Sequence, residues 1–215
     1  MTFGQLPFVE GFVITSDVTL SQTLPPSVES APSASPPVSV ALDRPVVLVG
    51  LMGAGKTRVG KRLAERVALP FIDTDHEIER ENGKTISELF ETVGEPAFRE
   101  GERRVIARLL EGPPSIIAAG GGAYLDPRTR AKIREHGSAV WLRADLATLI
   151  ARTSRSNKRP LLEGVDRGKK LSELIAIRHP IYAEADAVVE SGIGPVEETV
   201  EAVLKAVLAL MERRR

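Results

Sequence analysis

Val46-Val47-Leu48-Val49-Gly50-Leu51-Met52-Gly53-Ala54-Gly55-Lys56-Thr57 reads as a buried strand running directly into a phosphate-binding loop. The first four residues are apolar and mostly β-branched on both faces, the pattern of a central parallel strand covered by helices on both sides. From Gly50 to Thr57 the spacing is G-x-x-x-x-G-K-[ST], and each fixed position suits a triphosphate. Gly50, Gly53 and Gly55 let backbone N–H groups turn inward around an anion where a Cβ would obstruct them. The Lys56 ammonium is long enough to reach terminal phosphates, and the Thr57 hydroxyl can ligate Mg²⁺. Val59, Leu63 and Val67 then recur every four residues among Arg58, Lys61, Arg62, Glu65 and Arg66. That periodicity predicts an amphipathic helix that aims its positive N-terminus at the phosphates. The same eight residues in an isolated glycine-rich turn would mean little; the strand before them and the helix after them give the motif its force.

The 215 residues suffice for one domain and an appendage. The formal net charge is +0, so no overall basic surface points to nucleic acid. Cysteine is absent, which excludes disulfides, thiolate nucleophiles and Cys-ligated metals. No apolar run approaches the ~20 residues of a membrane-spanning helix. A soluble, cytoplasmic monomer is expected. Residues 1–43 differ in kind: Pro25-Pro26 and Pro36-Pro37 punctuate a Ser/Thr/Val-rich stretch with no Lys or Arg before Arg44, a composition expected to be disordered. It lacks the cationic start of a secretory signal, and its acidic residues argue against an organellar transit peptide.

Beyond the first helix, Leu69–Ile72 read as a second strand closed by Asp73-Thr74-Asp75. In an open α/β sheet the carboxyl ends of the strands line the ligand crevice, so these acids reach the phosphate loop. Capping of the following helix is the alternative reading of the pair. Thr85-x-x-Glu88 is a capping box for a helix that ends at Gly94. A further helix carries Phe98, Val105, Ile106 and Leu109 as far as Gly112-Pro113-Pro114. Arg99, near its start, reads by itself as a solvated charge. Ser115–Ala119 form a third strand, followed by Gly120-Gly121-Gly122, where a close backbone approach competes with a plain flexible turn. Residues 127–136 read as a short helix, and Ala139–Leu142 as a fourth strand with Trp141 in the core. A helix from Leu146 dissolves near Thr153 into Ser154-Arg155-Ser156-Asn157-Lys158-Arg159-Pro160, a cationic stretch suited to a lid over phosphates. Lys169–Arg178 form a helix stopped before Pro180, Ala187–Val189 a fifth strand, and Pro195 opens a last amphipathic helix. Alternating strands and short-linked helices predict an α/β, three-layer P-loop kinase fold: a five-stranded parallel sheet with helices on both faces.

Six segments in order, G-L-M-G-A-G-K-T, D-T-D, G-E-x-x-F-R-x-x-E (Gly94 to Glu102), A-G-G-G, R-P-L-L (Arg159 to Leu162) and R-x-P-x-Y (Arg178 to Tyr182), resemble the shikimate kinase family. The resemblance spans about Arg44 to the last helix and implies a domain over 44–215, with a lid at about 153–168. It implies transfer of the γ-phosphoryl group of ATP to the 3-hydroxyl of shikimate, on the route to chorismate and the aromatic amino acids. By that resemblance Gly50, Gly53, Ala54, Gly55, Lys56, Thr57 and Arg58 hold the ATP phosphates, Arg152 lies against the adenine, and Arg159 comes from the lid. Thr57 and Asp73 support Mg²⁺. Asp75 contacts the acceptor hydroxyls and orients or deprotonates the attacking one, so Lys56, Asp75 and Arg159 form the catalytic set. Arg99 and Arg178 grip the shikimate carboxylate, with Gly120, Gly121 and Gly122 in close backbone contact. The chemistry agrees: phosphoryl transfer needs alignment and charge stabilisation, and a carboxylate acceptor favours planar guanidinium forks over lysines. Arg58 replaces the Thr of many members, and the N-terminal extension has no counterpart in the compact ones.

A nucleotide or sugar-acid kinase would share the phosphate loop and differ in its acceptor residues. A GTPase would need N-K-x-D, but Asn157-Lys158 is followed by Arg159-Pro160. A non-catalytic relative would have no need to keep Lys56, Thr57, Asp73 and Asp75 together.

Overall fold

Strand β1 (Val46–Val49) is buried at every residue because it is hydrogen-bonded on both sides and covered above and below. Its neighbours are β3 (Ile116–Ala118) and β4 (Ser138–Arg143), both parallel to it. The structure is a computed structural model that describes residues 42–154 and 166–214. β2 (Phe71–Asp73) pairs with β3, and β5 (Ala187–Glu190) with β4, giving one five-stranded parallel sheet in the order β2-β3-β1-β4-β5. The predicted α/β sheet is therefore present strand for strand.

The order dictates the layers. From β1 the chain crosses through α1 (Lys56–Val67) toward the β2 edge, and every later crossover runs the other way. Right-handed connections thus put α1 on one face and the helices between β2 and β5 on the other. These are α2 (Thr74–Asn82), α3 (Ile86–Leu110), α4 (Pro127–His136), α5 (Leu146–Thr153) and α6 (Arg167–Tyr182). The contacts follow suit: α3 meets α4, α5 meets α6, and α7 (Val196–Arg214) returns to lie on α1. Val196, Val200, Val203, Leu204 and Val207 form the buried stripe of α7, as their spacing predicts. Trp141 is core, with its ring 4.9 Å edge-on from His179. Among the described residues no helix is long and apolar enough to cross a membrane.

Two sequence expectations shift. β2 begins at Phe71, not Leu69, because the Leu69 N–H closes the end of α1 on the Ala64 carbonyl and Pro70 has no N–H to give. Gly94 ends one helical segment and another begins beyond it, as expected: its φ 76°, ψ 163° is non-helical and kinks α3 there. α6 does not stop before Pro180; it runs to Tyr182. Proline there removes the N–H that would meet the Ala176 carbonyl, and both residues are exposed, where water can take the freed oxygen. The expected disordered extension and the lid lie, apart from their flanks, outside the described residues. At those flanks Leu42 is buried, Thr153 completes α5, and Asp166 caps α6.

Candidate active site

The expected site residues that are described gather at the carboxyl edge of the sheet, most of them where β1, β2 and β3 end and Arg152 beside the turn after β5. The loop after β1 turns through Gly50, Gly53 and Gly55 at φ 141°, 85° and 95°, conformations that L side chains rarely adopt. Gly55 is the N-cap of α1 and Lys56 its first residue, so the helix N-terminus opens on the loop. The Lys56 Nζ bends back to donate to the carbonyls of Gly50 (2.8 Å) and Leu51 (3.1 Å), which centres the ammonium within the turn. Ala54 is buried, whereas Arg58 points outward from α1 and is exposed.

Thr57 and Asp73 meet across the gap between α1 and β2. The Thr57 hydroxyl donates to Asp73 Oδ2 at 2.8 Å, while Asp73 Oδ1 accepts from the Asp75 N–H at 3.2 Å. Asp73 is therefore both the N-cap of α2 and the partner of the phosphate-loop hydroxyl. The capping alternative holds for Asp73; Asp75 caps nothing and projects from the first turn of α2. Its proton affinity is raised by burial and then by Asp73, with Lys56 opposing.

Gly120, Gly121 and Gly122, directly beyond β3, bring the acceptor-side residues together. A Cβ on Gly120 would lie 2.5 Å from Asp75 Oδ1 and 2.6 Å from Glu102 Oε1; one on Gly122 would lie 2.6 Å from both terminal nitrogens of Arg99. The Gly121 carbonyl accepts from Arg178 Nη1 (2.9 Å) and from the Tyr182 hydroxyl (2.5 Å). Three consecutive glycines thus let Asp75, Arg178 and Arg99 converge on one turn. Arg99 is no solvated charge: Nη1 donates to Glu102 Oε2 at 2.7 Å, Nη2 to Glu95 at 3.3 Å, and the guanidinium lies 5.5 and 5.3 Å from the Phe90 and Phe98 rings. The loss of water around Arg99 is outweighed by Glu102 and Glu95, which raise its pKa.

Arg152 lies on the far side of the phosphate loop. Its guanidinium donates to the carbonyls of Gly53 (3.2 Å) and Ala54 (3.4 Å), to Ser191 Oγ (3.1 Å) and to the Gly192 carbonyl, and Ser191 Oγ donates to the Ala54 carbonyl at 2.7 Å. This staples the loop to the β5–α7 turn. Burial and nearby Arg58 lower the Arg152 pKa. The lid arginine, Arg159, lies outside the described residues.

Sequence reasoning assigned no role to Glu102, Tyr182, Ser191 or Thr74, whose hydroxyl accepts from the Gly120 N–H at 2.9 Å. Glu102 stands three residues after Arg99 and Tyr182 four after Arg178, the spacings that put side chains on one helical face. Both lie in segments already singled out, so the signal was present. Ser191 and Thr74 carry no such spacing.

The family model for shikimate kinase matches residues 52–208. A shikimate kinase of Paramagnetospirillum magneticum is 50% identical over 178 residues, covering 83% of this chain and 91% of the relative. Another from Caulobacter vibrioides is 54% identical over 161 residues, covering 75% and 80% respectively. Among solved structures, shikimate kinase from Acinetobacter baumannii in complex with shikimate superposes with a TM-score of 0.74 at 38% identity, covering 78% of this chain and 94% of that one.

Proposed function

This chain belongs to the shikimate kinase family, and from that premise we propose how its residues divide the work of moving the γ-phosphoryl group of ATP onto the 3-hydroxyl of shikimate. The observation that carries the reading is the convergence of Asp75, Arg178 and Arg99 on Gly120–Gly122, beside the phosphate loop. Two guanidinium groups flank a turn whose absent side chains leave room for a small acid, and a carboxylate faces them.

Arg99 and Arg178 hold the acceptor carboxylate through charge-assisted hydrogen bonds, and this fixes the ring so that its 3-hydroxyl faces Asp75. The new bond forms between that oxygen and the γ-phosphorus as the bond to the ADP oxygen breaks, and Asp75 takes the hydroxyl proton. A carboxylate with raised proton affinity suits that task. Lys56, held by the Gly50 and Leu51 carbonyls, exchanges them for anionic phosphate oxygens. The loop N–H groups of Gly50 to Thr57 complete the cradle, with Arg58 adding positive charge at its outer side and Arg152 lying against the adenine. Arg159 is the lid cation of this reading.

Mg²⁺ fits the Thr57 hydroxyl and Asp73 carboxylate, hard oxygen donors already 2.8 Å apart. Among the described residues no group of three or more His, Asp or Glu could hold an ion, so its other ligands would be phosphate oxygens and water. Bound there, it neutralises charge on the β- and γ-phosphates.

The test is ADP release at fixed ATP and Mg²⁺ with shikimate, gluconate or nucleoside monophosphates as acceptor. Turnover with shikimate alone is expected; comparable kcat/KM for another acceptor, or none for shikimate, overturns the reading.

A further inference from the structure

Glu102 is buried, with 3% of its surface exposed, and sits one turn beyond Arg99 on α3. One oxygen accepts from Arg99 Nη1 at 2.7 Å; the other faces Asp75, since an oxygen of each carboxylate lies within 2.6 Å of the point a Gly120 Cβ would occupy. We propose that Glu102 is a proton-linked positioning residue: as a carboxylate it holds Arg99 in the free enzyme, and it takes up a proton when the acceptor's carboxylate claims that guanidinium. This rests on the acceptor being shikimate.

Charge balance carries the argument. The groups around Glu102 are Arg99 and Glu95 on its own helix, Asp75 on α2, Asp126 before α4, and Tyr182 with Arg178 on α6. Asp126 is paired with Arg128 (3.0 Å) and lies 3.6 Å from Arg103, while Glu95 is mostly exposed. In the interior, two guanidinium groups thus face two carboxylates. The substrate brings a third carboxylate to the same two cations, and Lys56, the next cation toward Asp75, is committed to phosphate. A buried site with surplus negative charge either binds weakly or gains a proton. Glu102 is the group poised to gain it: burial first, then Asp75 and Asp126, raise its pKa to about 7 against the pull of Arg99. Protonated, its carbonyl oxygen can still accept from Arg99, so the guanidinium keeps its place while its charge passes to the substrate.

The sign follows. A further anion beside Arg99 raises the Glu102 pKa above its free-enzyme value, so the acceptor binds best below pH 7, where the proton is already present. Binding weakens as pH rises, because a proton must then be taken from solvent. Calorimetric titration of the whole chain with shikimate, in two buffers of different ionisation enthalpy, measures that proton. Net uptake of a fraction of a proton per site is expected at pH 7, growing toward pH 8, and the Kd should weaken by up to about 10-fold between those pH values. Glu102→Gln retains an acceptor for Arg99 but cannot titrate, so its uptake should vanish and its Kd change less than about twofold over the same interval. Binding by the wild-type protein without net proton uptake overturns the inference, and needs no variant to fold. Equal uptake by E102Q also overturns it, because Asp75 is then the acceptor of the proton. Absence of any shikimate binding overturns the acceptor assignment itself, which distinguishes that failure from the other two.

Discussion

Gly122→Ala tests whether the triple glycine exists for the acceptor arginine. Gly122 has φ −102°, ψ −18°, which alanine adopts freely, so the backbone is not strained. The new Cβ would instead meet the Arg99 guanidinium at 2.6 Å. Arg99 is the flexible end of a long side chain and must retreat by about 0.8 Å to reach ordinary contact near 3.4 Å. It then leaves its 2.7 Å bond with Glu102 and its alignment on the substrate carboxylate. A hydrogen bond to a charged group contributes ~1.5–3 kcal/mol. At ~1.4 kcal/mol per factor of ten, KM for shikimate should rise roughly 10- to 100-fold. Tm should fall modestly, because Glu102, buried at 3% exposure, is left without its partner, while alanine partly offsets this by reducing the entropy of the unfolded chain. Gly168→Ala, in the first turn of α6 and outside the acceptor site, is the control: its Cβ would stand 3.4 Å from Asp166 Oδ1 and 3.5 Å from Ile150 Cδ1, ordinary contact distances. Its KM should stay within about threefold of the wild type, as for a substitution that disturbs no packing. The assay is coupled ADP release against shikimate at saturating ATP, repeated against ATP, with Tm for both variants. Equal shikimate KM values in the two variants, or a parallel rise in the ATP KM, would refute the reasoning.

Arg178→Ala should raise the shikimate KM at least tenfold and leave the ATP KM nearly unchanged; equal losses for both substrates would indicate unfolding instead. Asp75→Asn keeps the shape and removes the base, so kcat should fall by about 10²- to 10⁴-fold with Tm retained, and near-normal turnover would exclude Asp75 as base or orienter. Thr57→Val deletes the hydroxyl paired with Asp73 and should shift the Mg²⁺ dependence of kcat to higher concentration; an unchanged Mg²⁺ titration counts against Thr57 as ligand. Arg159→Ala should lower kcat while shikimate affinity, read by calorimetry, is preserved; normal turnover removes the lid arginine from the mechanism.

Much of the sheet was legible because parallel strands are short, apolar on both faces and separated by helices of clear period. The errors fall where local and tertiary preferences compete. Leu69 is apolar enough for a strand, yet its N–H closes α1. Pro180 ends a helix by local rules, yet α6 continues because its last turn seats Tyr182, fully buried, on the Gly121 carbonyl. That burial outweighs one missing backbone bond.

The sequence by itself determined the phosphate loop, since the eight-residue motif and its flanking strand and helix are contiguous in the chain and set the loop's backbone by local glycine geometry. It also pointed to Arg99 and Arg178 as the arginines proposed for the acceptor, but only through their segments' resemblance to a family. Their surroundings were decided by tertiary structure. Arg99 alone reads as a surface charge; it joins the candidate site because α3 lays it between Glu102 and two phenylalanine rings, opposite a turn with no side chains. Likewise Asp73 acquires Thr57 as a partner, and Glu102 an altered proton affinity, from elements that are separate in the chain. Periodicity records which face of an element is apolar. What that face meets, and how much water is left around a buried charge, depends on elements that only the folded sheet brings together.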